Sequence, residues 1–215
     1  MAYQRFNSVI WNYMNFLAHL YLSGESDGVK TGNFIGDYVK GKSFNNYQGD
    51  IRKGILLHRA IDDFTDNNLS FREVKLFFRR DYGRYAGIVS DVVFDHLLAK
   101  QWNQFSGYQL RDFARNAHTI LLSNYLRLPF RVQQFLPIMI KHKRLESYAS
   151  VEGLEKALQI MANYTSLPAL SQQAVEVLEK NHDQINELFI RFMEGIIFFI
   201  EVEHQISIRK PELTV

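Results

Sequence analysis

Cysteine is absent from this chain of 215 residues, and proline occurs only four times. The absence of cysteine excludes a disulfide framework, a thiolate zinc site and a cysteine nucleophile. Any metal ion must therefore be held by His, Asp and Glu side chains. The few prolines, with 12 glycines, also exclude collagen-like and proline-rich linker classes. Since 47% of the residues are hydrophobic and 22% are charged, a folded globular protein is expected rather than a disordered chain.

Long hydrophobic runs are also absent. The most apolar run, Gly195 to Ile200, is short and flanked by Glu194 and Glu201. It falls well below the roughly 18 apolar residues of a membrane-spanning helix. The first residues lack the apolar region and cleavage site of a signal peptide. The sequence therefore predicts a cytoplasmic protein with no membrane partner.

Charge is distributed unevenly along the chain. The net charge of +2 is too small to indicate nucleic-acid binding. However, residues 100–144 carry eight Lys and Arg against one acidic residue, whereas residues 146–203 carry three against ten. These segments either pair with each other inside one domain or leave a basic surface that attracts a polyanion or an acidic protein.

Helical periodicity recurs through the chain, and no convincing strand pattern accompanies it. The pattern predicts an all-α protein with a single helical domain. Pro137 indicates a kink or a helix start. Ser150 is a plausible N-cap for the helix that follows it. The predicted helices cover 52–65, 89–102, 110–125, 151–163 and one long amphipathic stripe over 171–204.

Nine of the 12 glycines lie at or before Gly87. The first half of the chain is therefore expected to hold the tight loops, notably between Ser23 and Gly54. Because loops on a rigid scaffold often carry function, we expect the chemistry before about residue 103.

Two short clusters in this half contain polar groups that suit a ligand. His19 lies within an apolar run, where a lone histidine is more often a hydrogen-bonded core residue than a metal ligand. Asn33, Asp37 and Lys40 are interspersed with glycines, which predicts either a turn followed by a capped helix or a backbone that approaches a ligand closely. The spacing is not that of a Walker A loop.

Two further clusters carry carboxylates one helical turn apart. His58 and Asp62 are at positions i and i+4, so they share a helix face and could bind one cation. Arg59 and Asp63 repeat this spacing and could form a surface ion pair. Asp91 and Asp95 repel each other unless a cation or a basic group lies between them, and His96 adjoins them.

Together these side chains form a hard oxygen and nitrogen donor set that suits Mn²⁺, Mg²⁺ or Fe. Such a cation could polarise a phosphoryl oxygen and activate water. The set is His19, Asp37, His58, Asp62, Asp91, Asp95 and His96.

Four motifs resemble the acyl carrier protein phosphodiesterase family, in the family's order and approximate spacing. They begin at Met14 (MNFLAHLYLS), Gly32 (GNFIGDYVKG), Gly54 (GILLHRAIDDFTD) and Asp91 (DVVFDHLLA). The resemblance is firm from Met14 to Trp102 and rests on length and helical character beyond that. The family usually begins at the equivalent of Met14, so residues 1–13 are expected to be an extension and 14–215 the hydrolase domain.

The resemblance implies an all-α fold distantly related to HD-domain phosphohydrolases. It also implies Mn²⁺-dependent hydrolysis of the phosphodiester that joins 4′-phosphopantetheine to a serine of acyl carrier protein. The metal ligands carried over by motif position are Asp37, His58, Asp91, Asp95 and His96. His19 and Asp62 are the expected catalytic residues beside them, and Arg59 or Lys40 would steady the phosphate.

Two other functions stay open at this point. One is a metal-dependent phosphohydrolase that acts on a nucleotide or another small phosphate ester, and the other is a non-catalytic helical module that binds a carrier. The sequence does not specify the oligomeric state.

Overall fold

The computed structural model describes residues 16–211, and this part of the chain is α-helical without a β-strand. The all-α prediction is confirmed. The expected extension, residues 1–13, and the first two residues of the first motif lie outside the described residues. The helices are α1 (Phe16–Tyr21), α2 (Asp27–Ile35), α3 (Gly49–Asn67), α4 (Leu69–Tyr82), α5 (Ala86–Lys100), α6 (Trp102–Phe105), α7 (Leu110–Ser123), α8 (Phe130–Lys141), α9 (Arg144–Ser147), α10 (Val151–Tyr164), α11 (Ser171–Lys180) and α12 (His182–Glu203). Short 3₁₀ turns cover Gly36–Tyr38, Gly41–Asn46, Gly83–Tyr85 and Tyr125–Arg127.

Side-chain caps fix where several helices begin. The hydroxyl oxygen of Ser150 accepts the N–H of Gly153 at 3.1 Å, which confirms the N-cap predicted for α10. The side-chain oxygen of Asn68 accepts the N–H of Phe71 at 3.2 Å and so separates α3 from α4. Each cap satisfies one of the N–H groups that a helix start leaves without a partner.

Pro137 lies inside α8, which begins at Phe130, so of the two alternatives predicted for it, a kink or a helix start, the helix start is excluded. Two other expectations about helix boundaries were wrong. The long stripe over 171–204 is two helices, because the chain breaks at Asn181 between α11 and α12. The region between Ser23 and Gly54 is not mainly loop, since α2 occupies Asp27–Ile35.

Helix α5 forms the centre of the described fold. Eleven of its 15 residues are buried, including Asp95 and His96, so it is covered on nearly every side. Helices α1, α4, α10 and α12 pack around it. Phe94 of α5 packs with Phe71, Phe189 and Phe192, which ties α4 and α12 to the core.

Helices α2 and α3 approach each other closely because both carry glycine at the contact. A Cβ atom on Gly32 would lie 2.0 Å from the carbonyl oxygen of Ile51, and one on Gly54 would lie 2.2 Å from that of Val29. These two glycines therefore allow backbone contact between the helices. None of the helices in the described part of the chain is long and apolar enough to cross a membrane.

Candidate active site

Helices α1, α2 and α3 bring four polar side chains to one point. α1 contributes His19, α2 contributes Asn33, and α3 contributes His58 and Asp62 one turn apart. Both histidines and the asparagine are buried, whereas the carboxylate of Asp62 is half exposed. The imidazole rings of His19 and His58 stack with their centroids 4.2 Å apart. The i, i+4 prediction for His58 and Asp62 is thus met by the geometry.

Asn33 lies behind the two imidazoles and bonds to both. Its Oδ1 is 2.8 Å from Nδ1 of His19 and 3.2 Å from Nδ1 of His58. Its Nδ2 donates to the carbonyl oxygen of His19 at 2.8 Å and to the hydroxyl of Ser23 at 2.9 Å. Because the amide nitrogen faces two acceptors, Oδ1 must be the atom that faces the rings.

The opposite nitrogens of the two rings face carboxylates. Nε2 of His19 lies 3.4 Å from Oδ1 of Asp62. Nε2 of His58 lies 3.3 Å from Oδ2 of Asp62 and 3.5 Å from Oδ1 of Asp37. Ligand atoms of His19, His58 and Asp62 all lie within 4.8 Å of one another.

The electrostatics of this group favour a positive charge between the rings and the carboxylate. Burial alone would lower the pKa of His19, but the hydrogen bond and charge of Asp62, with help from Asn33 and Asp37, raise it above the ordinary value. Burial would raise the pKa of Asp62, but His19 and His58 lower it. Each partner therefore stabilises the charged form of the other.

These residues fit a divalent cation. Nε2 of His58 is buried and, among the described residues, has no hydrogen-bond partner. A buried nitrogen without a partner is costly, and a bound cation would satisfy it. The donors are imidazole nitrogen and carboxylate oxygen, the set that suits Mn²⁺, Mg²⁺ or Fe.

A cleft of about 290 Å³ opens beside this cluster. Asp37, Asp62, Asp66 and Asp91 line it, and Arg84 contributes a guanidinium group. The pKa of Asp91 is raised well above the ordinary value, first by burial and further by nearby carboxylates, although His19 lowers it. A bound cation and Arg84 would offset the negative charge of this cleft.

Two predicted ligands are not brought into the cluster. Asp95 accepts the backbone N–H groups of Leu17 at 3.1 Å and Ala18 at 2.9 Å, so it is held against α1. Burial raises its pKa to about 7, although those two bonds lower it. His96 lies 2.7 Å through Nδ1 from the carbonyl oxygen of Tyr148, and burial lowers its pKa. Both side chains are engaged in the core behind the cluster.

The two predicted phosphate contacts also have other partners. Nη2 of Arg59 donates to the carbonyl oxygens of Val39 at 2.9 Å and Gly41 at 2.8 Å, and the guanidinium lies over the ring of Phe44. It does not pair with Asp63. Lys40 is exposed, and its Nζ lies 3.8 Å from Oδ1 of Asp37. Arg59 thus anchors the loop that follows Asp37, and Lys40 lies at the edge of the site.

Sequence reasoning left two residues out of the site. Asn33 lies in the glycine-rich motif four residues before Asp37, an expected ligand, and this spacing is the sequence feature that points to it. Arg84 follows a glycine with a φ of 53°, in a turn between α4 and α5. Its placement depends on how those two helices pack, so no local pattern marked it.

The described residues thus form an all-α fold in which buried histidines and carboxylates converge beside a cleft. The family model for acyl carrier protein phosphodiesterase matches residues 14–196. The chain therefore belongs to the acyl carrier protein phosphodiesterase family. No solved structure matches it, so the expected relation to HD-domain proteins stays a prediction.

Curated relatives agree with the family assignment. A Yersinia pestis protein named acyl carrier protein phosphodiesterase is 33% identical over 180 residues, which cover 83% of this chain and 93% of the relative. A protein of the same name from Salmonella agona (strain SL483) is 34% identical over 181 residues, with 83% and 93% covered. The similarity thus extends well beyond the four motifs, into the C-terminal helices.

Proposed function

We propose that this protein is a metal-dependent phosphodiesterase that removes 4′-phosphopantetheine from holo-acyl carrier protein. The observation that carries the proposal is the convergence of His19 Nε2, His58 Nε2 and the carboxylate of Asp62 beside a cleft. Membership of a family whose relatives carry the name acyl carrier protein phosphodiesterase supports the choice of substrate.

His19, His58 and Asp62 would hold the metal ion, with Asp37 beside them. We expect Mn²⁺, with Mg²⁺ or Fe as alternatives, because the donors are nitrogen and oxygen. When bound, the ion would polarise a phosphoryl oxygen and lower the pKa of water. The protein's own contribution is to hold both Nε2 atoms toward the carboxylate of Asp62 and to exclude water behind the rings, where both histidines are buried.

The reaction exchanges one ester oxygen for a water oxygen. The oxygen of water forms a new bond to phosphorus, and the bond between phosphorus and the serine oxygen breaks. The serine oxygen takes up a proton, which gives apo-acyl carrier protein and 4′-phosphopantetheine. Arg84 lines the cleft, and its guanidinium suits a non-bridging phosphate oxygen.

The partner in this proposal is a folded protein, and the basic composition of residues 100–144 supports attraction of an acidic one. A cytoplasmic location, expected from the sequence, is part of the same proposal. No observation here favours a nucleotide or another small ester over the carrier. That alternative is therefore treated as an outcome of the experiment.

The test is incubation of the full chain with purified holo-acyl carrier protein and Mn²⁺, followed by intact mass measurement of the carrier. We expect conversion to the apo-carrier, loss of conversion with EDTA, and recovery when Mn²⁺ is restored. His58→Ala should abolish conversion. Full conversion in EDTA would disprove the metal dependence. Hydrolysis of bis(p-nitrophenyl) phosphate without any conversion of the carrier would instead support the small-ester alternative.

A further inference from the structure

We propose that Asn33 is a positioning residue that sets the tautomer of His19 and His58 together. By accepting both Nδ1–H groups, its Oδ1 leaves a lone pair on each Nε2, on the side of the rings that faces Asp62. The metal-binding part of this inference rests on the proposed function. The tautomer part does not, because it concerns the protein alone.

The amide cannot serve the rings in its flipped orientation. A flip would place Oδ1 against the carbonyl oxygen of His19 and the hydroxyl of Ser23, where Nδ2 now donates at 2.8 and 2.9 Å. The hydroxyl of Ser23 is itself oriented, since it donates to the same carbonyl oxygen at 2.7 Å. The two bonds donated by Nδ2, together with the bond that orients the Ser23 hydroxyl, thus hold Oδ1 toward the rings.

Carboxylate oxygens lie near both Nε2 atoms and can also accept a proton from the rings. Oδ1 of Asn33 lies closer to Nδ1 of each ring than the nearest carboxylate oxygen lies to its Nε2, so it favours Nδ1–H. Asn33 is fully buried, so water does not compete with its Oδ1 for the two Nδ1–H groups. A neutral imidazole has one N–H, and donation from Nδ1 leaves Nε2 as a base or a metal ligand. Both tautomers occur in an unrestrained histidine. A site in which two Nε2 atoms bind a metal needs the Nδ1–H tautomer at both histidines.

One acceptor for two rings also couples helices α1 and α3. The rings are stacked 4.2 Å apart, so a rotation of one ring would displace the other. Helix α2 carries Asn33 to a position behind both rings. The glycines at the contact, Gly32 and Gly54, allow α2 to lie directly against α3. The alternative role for this buried amide is structural, as a linker between helices. That role requires no particular tautomer of either histidine.

The first experiment measures the tautomers directly in the metal-free full chain. Two-dimensional ¹⁵N NMR distinguishes Nδ1–H from Nε2–H in neutral rings. Because the pKa of His19 is raised, spectra are recorded from about pH 9 upward until its ring ¹⁵N shifts no longer change. We expect Nδ1–H at His19 and His58, with the exposed His142 as an internal reference for a free ring. Nε2–H at both site histidines would overturn the proposal, whatever the enzyme hydrolyses.

The second experiment compares Mn²⁺ affinity by calorimetry for Asn33→Leu, Asn33→Asp and a control. Asn33→Leu should weaken Mn²⁺ binding about 10- to 100-fold, the usual effect of removing a group that orients a ligand. Asn33→Asp keeps an acceptor and should retain the Nδ1–H tautomers even if stability falls. The control Asn124→Leu removes a half-buried amide that donates to the carbonyl of Ile120, and it should bind Mn²⁺ normally.

The variants also separate failure of this proposal from failure of the proposed function. A folded Asn33→Leu protein with wild-type Mn²⁺ affinity and unchanged tautomers would overturn the role of Asn33. Should that variant not fold, the tautomers of the wild type and of Asn33→Asp decide the question. A wild-type protein that has the expected tautomers but leaves holo-carrier protein unchanged would count against the proposed function alone.

Discussion

Arg59 and Arg84 are both candidates to contact the phosphate of a substrate, but their surroundings give them different roles. The guanidinium of Arg59 is engaged by the carbonyl oxygens of Val39 and Gly41 and stacks on Phe44. Arg84 lines the cleft, where Nη2 donates to the hydroxyl of Tyr85 at 2.7 Å and its other N–H groups can reach a ligand. Arg84 is therefore the better placed cation for the substrate's phosphate.

This assignment predicts the effect of Arg84→Ala. Loss of one charge-assisted hydrogen bond, worth about 1.5–3 kcal/mol, should lower kcat/KM about 10- to 100-fold. Metal content should be unchanged. The decrease should be similar for holo-carrier protein and for a small phosphodiester, because the contact is with the phosphate. Steady-state kinetics with both substrates measures it.

Two matched arginine variants control this measurement. Arg191→Ala removes an exposed arginine of α12, outside the basic segment 100–144, and should leave kcat/KM within about twofold, since exposed charges away from a site contribute little. Arg59→Ala should mainly lower thermal stability, because it releases the loop after Asp37. If Arg84→Ala loses turnover of the carrier but not of the small ester, Arg84 contacts the carrier protein and not the phosphate.

At the scale of the helices, Gly36 is the point where α2 ends against the site. Its backbone is right-handed helical, with φ −52° and ψ −43°, so alanine could adopt it without strain. A Cβ atom there would nevertheless lie 2.2 Å from Cγ of His58. The missing side chain of Gly36 thus provides the space in which the His58 ring lies.

We therefore expect Gly36→Ala to displace His58 while the helices remain. Overpacking should cost about 1–3 kcal/mol of stability, and Mn²⁺ affinity should fall with it. Circular dichroism checks the helices, and calorimetry measures the metal. The control Gly195→Ala places a Cβ atom 3.5 Å from Phe64, an ordinary contact, and should bind Mn²⁺ as the wild type does. Normal Mn²⁺ affinity in Gly36→Ala would show that His58 is not a ligand.

The sequence alone predicted most of the helices but not the contacts that its glycines make. Helical periodicity predicted α3, α5, α7 and α10 because each buries one repeating apolar face or, for α5, almost every residue. The glycines of the second motif suggested a loop that approaches a ligand. Gly32 instead permits contact between α2 and α3, and Gly36 makes room for the ring of His58. A local pattern does not distinguish backbone approach to a ligand from backbone approach to a helix.

The sequence predicted which candidate side chains lie together within one helix but not which lie together across helices. His58 and Asp62 share a face of α3, so their i, i+4 spacing was sufficient. Asp91, Asp95 and His96 all lie on α5, and Asp91 and Asp95 are one turn apart, but the three side chains have different surroundings. Asp91 lines the cleft, whereas Asp95 is held by α1 and His96 lies against Tyr148. Those partners come from distant parts of the chain, and only the packing of α5 determines them.

For the whole molecule, a metal at this site would join helices that are far apart along the chain. His19 belongs to α1, while His58 and Asp62 belong to α3, and α1 is also held to the central helix α5 through Asp95. A ligand that binds only the folded state stabilises it by mass action. Metal binding should therefore be visible as a gain in global stability, without any substrate.

We expect Mn²⁺ at about 100 times its Kd to add about 2.7 kcal/mol to the free energy of unfolding. For a chain of this size, that corresponds to a rise in Tm of about 5–10 °C. His58→Ala should show no such rise, because it removes the buried Nε2 that has no hydrogen-bond partner among the described residues. His142→Ala, at an exposed histidine, should rise as the wild type does. Thermal scans with EDTA and with Mn²⁺ measure all three proteins. An equal rise in His58→Ala would place the metal at another site, since stabilisation by a ligand requires the residues that bind it.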